Sequence, residues 1–146
     1  MRLTTSITVP QSIDQAFDYL ANPYNSNKWD KSIQSVDLPG GRFDGVGTLV
    51  NTVAPSGMKQ SFVVTEFSPP RTFKFRLLKS SMFKLAELSF MFEVIEGKTK
   101  ITHVIELKLN FWAFFLYPVL MFTNKKALGA DMEYLRKGLD EFFRTK

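Results

Sequence analysis

The sequence predicts an α+β domain in which a seven-stranded antiparallel sheet wraps around one long C-terminal helix. Three observations carry that prediction. Stretches of period-two alternation recur from Leu3 to Phe111 and are joined by short turns, the pattern of an antiparallel meander with one wet face. A short segment near the N-terminus, Ile13 to Leu20, has helical spacing instead. The last third of the chain then changes to a 3.6-residue period and keeps it nearly to the end.

The elements follow in order. Leu3, Thr5, Ile7 and Val9 alternate with Thr4, Ser6 and Thr8, and Pro10 ends this first strand. Ser12-Ile13-Asp14-Gln15 reads as a capping box, with Ser12 as N-cap and Gln15 reaching back to it. Ile13, Ala16, Phe17 and Leu20 form the apolar stripe of the helix that follows. Asn22-Pro23 stops it. Tyr24 to Asp30 is a polar stretch around an isolated Trp29 and is expected to be a short helix or loop. Ser32 to Leu38, Val46 to Val53, Lys59 to Phe67, Thr72 to Leu78, Leu85 to Ile95 and Lys100 to Phe111 supply the other six strands. Pro39-Gly40-Gly41, Pro55-Ser56-Gly57, Pro69-Pro70 and the hairpin signal Glu96-Gly97-Lys98 separate them.

The alternation also assigns faces. Phe73, Phe75 and Leu77 share one face with Leu88, Phe90, Phe92 and Val94, and with Ile101, His103, Ile105, Leu107 and Leu109. On a helical wheel Tyr117, Met121, Asn124, Leu128, Met132, Leu135, Leu139 and Phe142 share a stripe, with Lys126, Lys137, Asp140 and Arg144 opposite. A stripe of roughly seven or eight turns needs a partner of similar length. The inner sheet face is the surface large enough to be that partner. No linker, repeat or low-complexity segment divides the chain, so residues 1–146 are expected to form one domain.

Composition narrows the chemistry. Hydrophobic residues make up 45% and charged residues 23%, while aromatics reach 14% with 15 Phe. Rings in that number fill a core, or line a space that aliphatic packing would close. There is no cysteine, which excludes disulfides, thiolate nucleophiles and Cys-based zinc sites. One histidine among scattered carboxylates gives no metal-ligand spacing. The glycine pairs lack the Lys-Ser/Thr of a phosphate loop. No cofactor is expected. The N-terminal residues have no apolar signal-peptide core, and the longest apolar run, Phe111 to Phe122, is 12 residues, short of the ~20 a spanning helix needs. A cytoplasmic location is expected from these features. The net charge of +5 is spread over the chain. The outward stripe Thr72, Lys74, Arg76 faces Glu87 and Glu93 on the next strand, so cross-strand pairing should neutralise it, and nucleic acid is not expected as a partner.

Five short motifs follow the order of the elements: Val9-Pro10 with Ile13 to Leu20; Asn22-Pro23-Tyr24 through Lys28-Trp29-Asp30; Gly45-Val46-Gly47-Thr48; Val64-Thr65-Glu66-Phe67-Ser68-Pro69-Pro70-Arg71; and Leu135 to Leu139 followed by Glu141. In that order they resemble the opening strand and helix, the link, the Gly-x-Gly-Thr strand entry, the turn into Pro-Pro-Arg and the helix end of one family. That family is the polyketide cyclase/dehydrase and lipid-transport group of the START-like (SRPBCC) superfamily. The resemblance implies the helix-grip fold, with one or two short helices between strands 1 and 2. It also implies a small hydrophobic ligand (a lipid, isoprenoid or polyketide-like ring) in a cavity between sheet and C-terminal helix.

The candidate ligand-contacting residues are Trp29, Phe75, Phe90, Phe92, His103, Ile105, Leu107, Tyr117, Met121, Asn124, Leu128, Asp131 and Met132. Each has a plainer reading. The inner-face apolar residues are core if no cavity exists. Trp29 is a pocket lid or a plug for a small local core. His103 is a general base or carbonyl polariser, or simply a satisfied half-buried histidine. Asn124 and Asp131 interrupt the helix stripe and meet a ligand head group, or else bond to backbone at its edge. The apolar run 111–122 is a folded-over pocket entrance, a homodimer contact, or a docking patch for weak contact with an anionic membrane surface. A cyclase or dehydratase using His103 and Asp131 as acid–base groups is the alternative to simple binding.

Overall fold

A computed structural model describes residues 2–30, 33–43, 45–80, 83–111 and 132–143. The chain opens with strand β1 (Arg2–Val9) and helix α1 (Ile13–Ala21). A 3-10 turn (Pro23–Asn25) and the short helix α2 (Ser26–Trp29) follow. Six strands come next: β2 (Ser35–Asp37), β3 (Leu49–Val53), β4 (Lys59–Ser68), β5 (Thr72–Leu78), β6 (Phe83–Ile95) and β7 (Lys98–Leu109). Residues 132–143 are helical and form the described part of the C-terminal helix, α3.

All seven strands belong to one antiparallel sheet in the order β1-β7-β6-β5-β4-β3-β2. Each strand from β2 to β7 lies beside its neighbour in sequence. β1 crosses over to pair with β7, which places the two ends of the chain's β-structure side by side. The crossover is the path taken by α1 and α2, so both helices are held near the inner face.

Local chemistry explains the elements. The Ser12 hydroxyl accepts the Gln15 N–H at 3.2 Å, and the Gln15 side chain accepts the Ser12 N–H at 3.2 Å. This satisfies two of the backbone donors that a helix start leaves open. Asn22 ends α1, and its side chain accepts from Tyr24 N–H at 3.1 Å to start the next turn. The β6–β7 hairpin closes through Glu96 and Gly97, with φ of 50° and 77°. Two consecutive left-handed residues give the turn whose twist matches the strands it joins.

The core forms where α1, α3 and the sheet converge. Phe17 of α1 is fully buried and meets Phe92 at 5.2 Å, Phe67 at 5.6 Å and Phe73 at 5.7 Å between ring centroids. Met132, Leu135 and Leu139 of α3 are fully buried in the same cluster, with Phe142 partly buried beside them. Their spacing matches the predicted helical stripe. On the outer face Lys74 of the basic stripe pairs with Glu87 at 3.5 Å, as the cross-strand reading expected, while Glu93 pairs at 3.8 Å with Lys100, which lies outside the stripe.

Three expectations need correction. Val94 has the inward phase but is 57% exposed. Its row partners Thr99 and Val9 are buried, and the Thr99 hydroxyl donates to the Gln11 carbonyl at 2.8 Å. The segment at Gln11, just ahead of α1, therefore covers β7 at this level, while the 13-residue β6 runs out past the cover. The strand expected over Val46 to Val53 begins only at Leu49, because Gly45 and Gly47 adopt φ of 82° and 91° and make a turn. The strand expected over Ser32 to Leu38 is reduced to three residues, Ser35–Asp37.

Gly138 lets α3 approach the short helices. A Cβ there would sit 2.8 Å from the Tyr19 hydroxyl and 3.6 Å from Trp29 Cβ. Tyr19 is itself buried, and among the described residues its hydroxyl has no hydrogen-bond partner. Gly138→Ala should therefore destabilise the fold by about 1–2 kcal/mol despite the better helix propensity of Ala. Adding Tyr19→Phe should restore stability to wild type or above, as read by thermal unfolding of the single and double variants. At the hairpin, Glu96→Asn should raise stability by about 0.5–1 kcal/mol, since Asn tolerates the left-handed region better than Glu. Denaturant midpoints of the two proteins measure this.

Candidate ligand cavity

Beyond the solid core the inner sheet face borders a cavity. A cavity of about 250 Å³ lies between the sheet and the α1–α2 region. Cross-strand register arranges its sheet wall in rows about 6–7 Å apart. The floor row is Phe73, Phe90 and His103, each directly opposite the next. The second row is Val64, Phe75, Leu88 and Ile105. The third contains Val50, Phe62 and Leu77, with Ala86 and Leu107 at its other end. At the rim stand Thr52 opposite Gln60, and Phe83. Leu20, Ala21 and Pro23 close the helical side, joined by Ser26, Trp29 and Asp30.

The floor is continuous with the core. The next row down, Phe92 opposite Ile101, is fully packed. Phe90 belongs to both regions. It stacks on His103 with centroids 4.1 Å apart and planes at 8°, and on Phe73 at 5.0 Å. The Trp29 ring meets Phe90 edge-on at 5.9 Å.

The polar atoms at the floor are unusual. His103 is 4% exposed, and neither ring nitrogen has a hydrogen-bond partner among the described residues. The Trp29 indole N–H is likewise buried and without a partner. Burial pushes the His103 pKa from 6.5 down to about 3. The imidazole is therefore neutral across the physiological range, because the charged form would lose its hydration with nothing in exchange. A neutral imidazole has one donor nitrogen and one acceptor nitrogen. Among the described lining residues the charged side chain is Asp30, and no Lys or Arg is present.

Of the residues singled out in the sequence, Trp29, Phe75, Phe90, His103, Ile105 and Leu107 line this cavity. Phe92 and Met132 do not appear in its lining. Both are buried in the core cluster beneath it. Tyr117, Met121, Asn124, Leu128 and Asp131 lie outside the described residues. So does the apolar run 111–122 apart from Phe111, which is 97% exposed. Sequence reasoning missed Val50, Thr52, Gln60, Phe62 and Val64. A bulge between Val64 and Glu66 breaks the phase of β4, and Phe62, Val63 and Val64 are apolar on both faces. The usable signal was the register against Phe75 and Leu77, which assigns Val64 and Phe62 to the inner side. An open groove outside shares Ala21, Pro23 and Phe43 with the cavity, so these three side chains form the wall between the two.

A seven-stranded antiparallel sheet packed against a C-terminal helix, with an apolar cavity between the sheet and the α1–α2 region, is the helix-grip architecture. Comparison with family models places the chain more closely. Residues 1–142 match the model for polyketide cyclase / dehydrase and lipid transport, and the chain belongs to that family. Comparison with curated protein sequences gives no match. Among solved structures it is similar to TTHA0849 from Thermus thermophilus, with 12% identity, a TM-score of 0.76, and 95% of this chain and 97% of that one covered. It is also similar to the di-domain ARO/CYC StfQ from the steffimycin biosynthetic pathway, at 9% identity and TM-score 0.78, over 96% of this chain and 50% of that one. A third is the Aha1 dimer from Colwellia psychrerythraea, at 18% identity and TM-score 0.70, covering 95% and 96%. At these identities the likeness is one of fold. Among the described residues no helix is long and apolar enough to cross a membrane.

The buried histidine makes stability depend on pH in a stated direction. Its folded pKa is lowered, so the unfolded chain takes up the proton first as pH falls. The stability it permits is complete above pH 6.5 and declines as pH drops toward about 3. Between pH 7 and pH 5 the wild type should lose about 2 kcal/mol more than His103→Phe. Urea midpoints of both proteins at the two pH values test this.

Proposed function

We propose that this protein binds and carries a small hydrophobic molecule in the cavity between sheet and helices, without transforming it chemically. The observation that carries the reading is the contrast between the two halves of one sheet face. The half under Phe17 and Leu139 is packed solid, while the half from Phe90 to the rim encloses about 250 Å³ behind mainly apolar walls. That is just below the ~300–1,000 Å³ of typical small-molecule sites, so it suits a compact ligand better than a lipid with two long chains. Family membership supports the reading, since lipid transport is one of the activities in the family's description.

The same description also includes cyclases and dehydrases, and a catalytic reading would use His103 and Asp131 as acid–base groups within reach of one substrate atom. Asp131 lies outside the described residues. Carriage is the reading that the mainly apolar lining supports.

Ala86 lies in the third row and is buried at the cavity wall. Ala86→Trp should fill the space with an indole. We expect saturable binding of a neutral hydrophobic dye to fall by at least about 10-fold, with the unfolding midpoint held or raised because a void is filled. Native mass spectrometry should find a bound hydrophobic molecule on the wild type and none on this variant. A wild type that carries no ligand and binds no dye saturably would overturn the proposed function.

A further inference from the structure

We infer that the ligand reaches the cavity from the open groove beside α1, and that the Phe43 ring is the gate between groove and cavity. This rests on the binding reading above and adds the route by which the site fills and empties.

The groove takes its apolar lining from Phe17, Leu38 and Phe67, and the exposed residues Asp18, Tyr24 and Arg42 border it. An apolar surface with a polar margin suits a hydrophobic molecule on its way out of water. Among the described residues, Ala21, Pro23 and Phe43 line both spaces and make the wall between them.

Two parts of that wall are fixed. Ala21 ends α1, and the buried Pro23 opens the 3-10 turn. Around them the Asn22 side chain accepts from Tyr24 N–H at 3.1 Å, and the Asn22 carbonyl accepts from Asn25 N–H at 3.0 Å. The Asn25 amide donates to the Tyr19 carbonyl at 3.1 Å. Moving Ala21 or Pro23 aside would disturb all three bonds.

Phe43 is held differently. It belongs to the connection between β2 and β3, outside any helix or strand, and is half-buried. The connection is tied where Gly41 N–H donates to the Leu38 carbonyl and where Gly47 N–H donates to the Val64 carbonyl, both at 2.8 Å. Between these ties the Phe43 ring rests on Phe67, with centroids 5.0 Å apart and planes at 58°. Gly41 and Gly45, two residues to either side, have φ of 83° and 82°, a region that glycine enters without steric cost. Turning the phenyl gives up that ring contact and, since a phenyl carries no hydrogen-bonding group, no hydrogen bond. The other walls cost more to open. The floor abuts the packed cluster under Phe17, and the sheet side is a continuous ladder of strands. At the far rim Thr52 is buried and held opposite Gln60 within the β3–β4 ladder.

The test follows the neutral fluorophore 1-aminoanthracene by stopped-flow mixing with the full chain. Phe43→Ala should raise the association and dissociation rates together, each by at least about 10-fold. Lost packing alone would raise dissociation and leave association where it is, so the association rate decides. Phe43→Trp puts a larger ring in the same wall and should slow both rates by at least about threefold. Asp18 lines the groove and not the cavity, so Asp18→Trp should slow both rates by a similar factor, and it carries the test if Phe43→Ala proves unfolded by thermal melting. An association rate unchanged in the folded groove and gate variants, or slowed by Gln60→Trp at the far rim and by none of them, would overturn the inference and leave hydrophobic binding standing. Failure of 1-aminoanthracene itself to bind saturably would overturn the binding reading, and this inference with it.

Discussion

The meeting of Phe17 with Phe67, Phe73 and Phe92 is the contact on which the rest of the structure depends. One ring from α1 touches β4, β5 and β6 at once. It fixes the height of the helix over the sheet, and α3 then packs Leu135 and Leu139 into the same cluster. Burying several aromatic and aliphatic side chains in one place supplies most of what a domain of this size needs. With that end closed, a cavity of about 250 Å³ remains along the adjoining rows of the same sheet face, beside α1 and α2.

Much of this could be read from the residues. The Ser12–Gln15 capping box, the Asn22-Pro23 stop and the Glu96-Gly97 turn are local and were recoverable without tertiary information. The β5, β6 and β7 faces were also legible, since Phe73, Phe90 and His103 sit in clean alternation. The stripe Met132, Leu135, Leu139 and Phe142 gave the α3 contact correctly. What local pattern could not supply was coverage. Val94 has the same phase as Phe92, yet one is exposed and the other buried, because α1 ends its cover between them. Phe92 and Phe90 alternate alike, but only Phe90 reaches the cavity, since Phe17 fills the space above Phe92. The bulge in β4 hid Phe62 and Val64 for a different reason: a one-residue slip exchanges the two faces, and neither face of that strand is polar enough to reveal it.

His103 shows how a single buried polar group shapes both folding and binding. Stacking on Phe90 accounts for its apolar surface, and nothing described accounts for its nitrogens. A histidine kept neutral in this way is not a pH switch near neutrality.

Phe90 is shared by two neighbourhoods, and this has a consequence for mutational tolerance. It stacks on His103 and Phe73, meets Trp29, and belongs to the buried cluster. A change at the floor therefore disturbs the part of the domain that holds it folded. Thr52 and Gln60 line the cavity at its other end, away from Phe90 and His103. Sequence drift in such a protein would reshape the rim of the cavity long before its floor. The depth of a residue in the pocket is then also a measure of how slowly the specificity it controls can diverge.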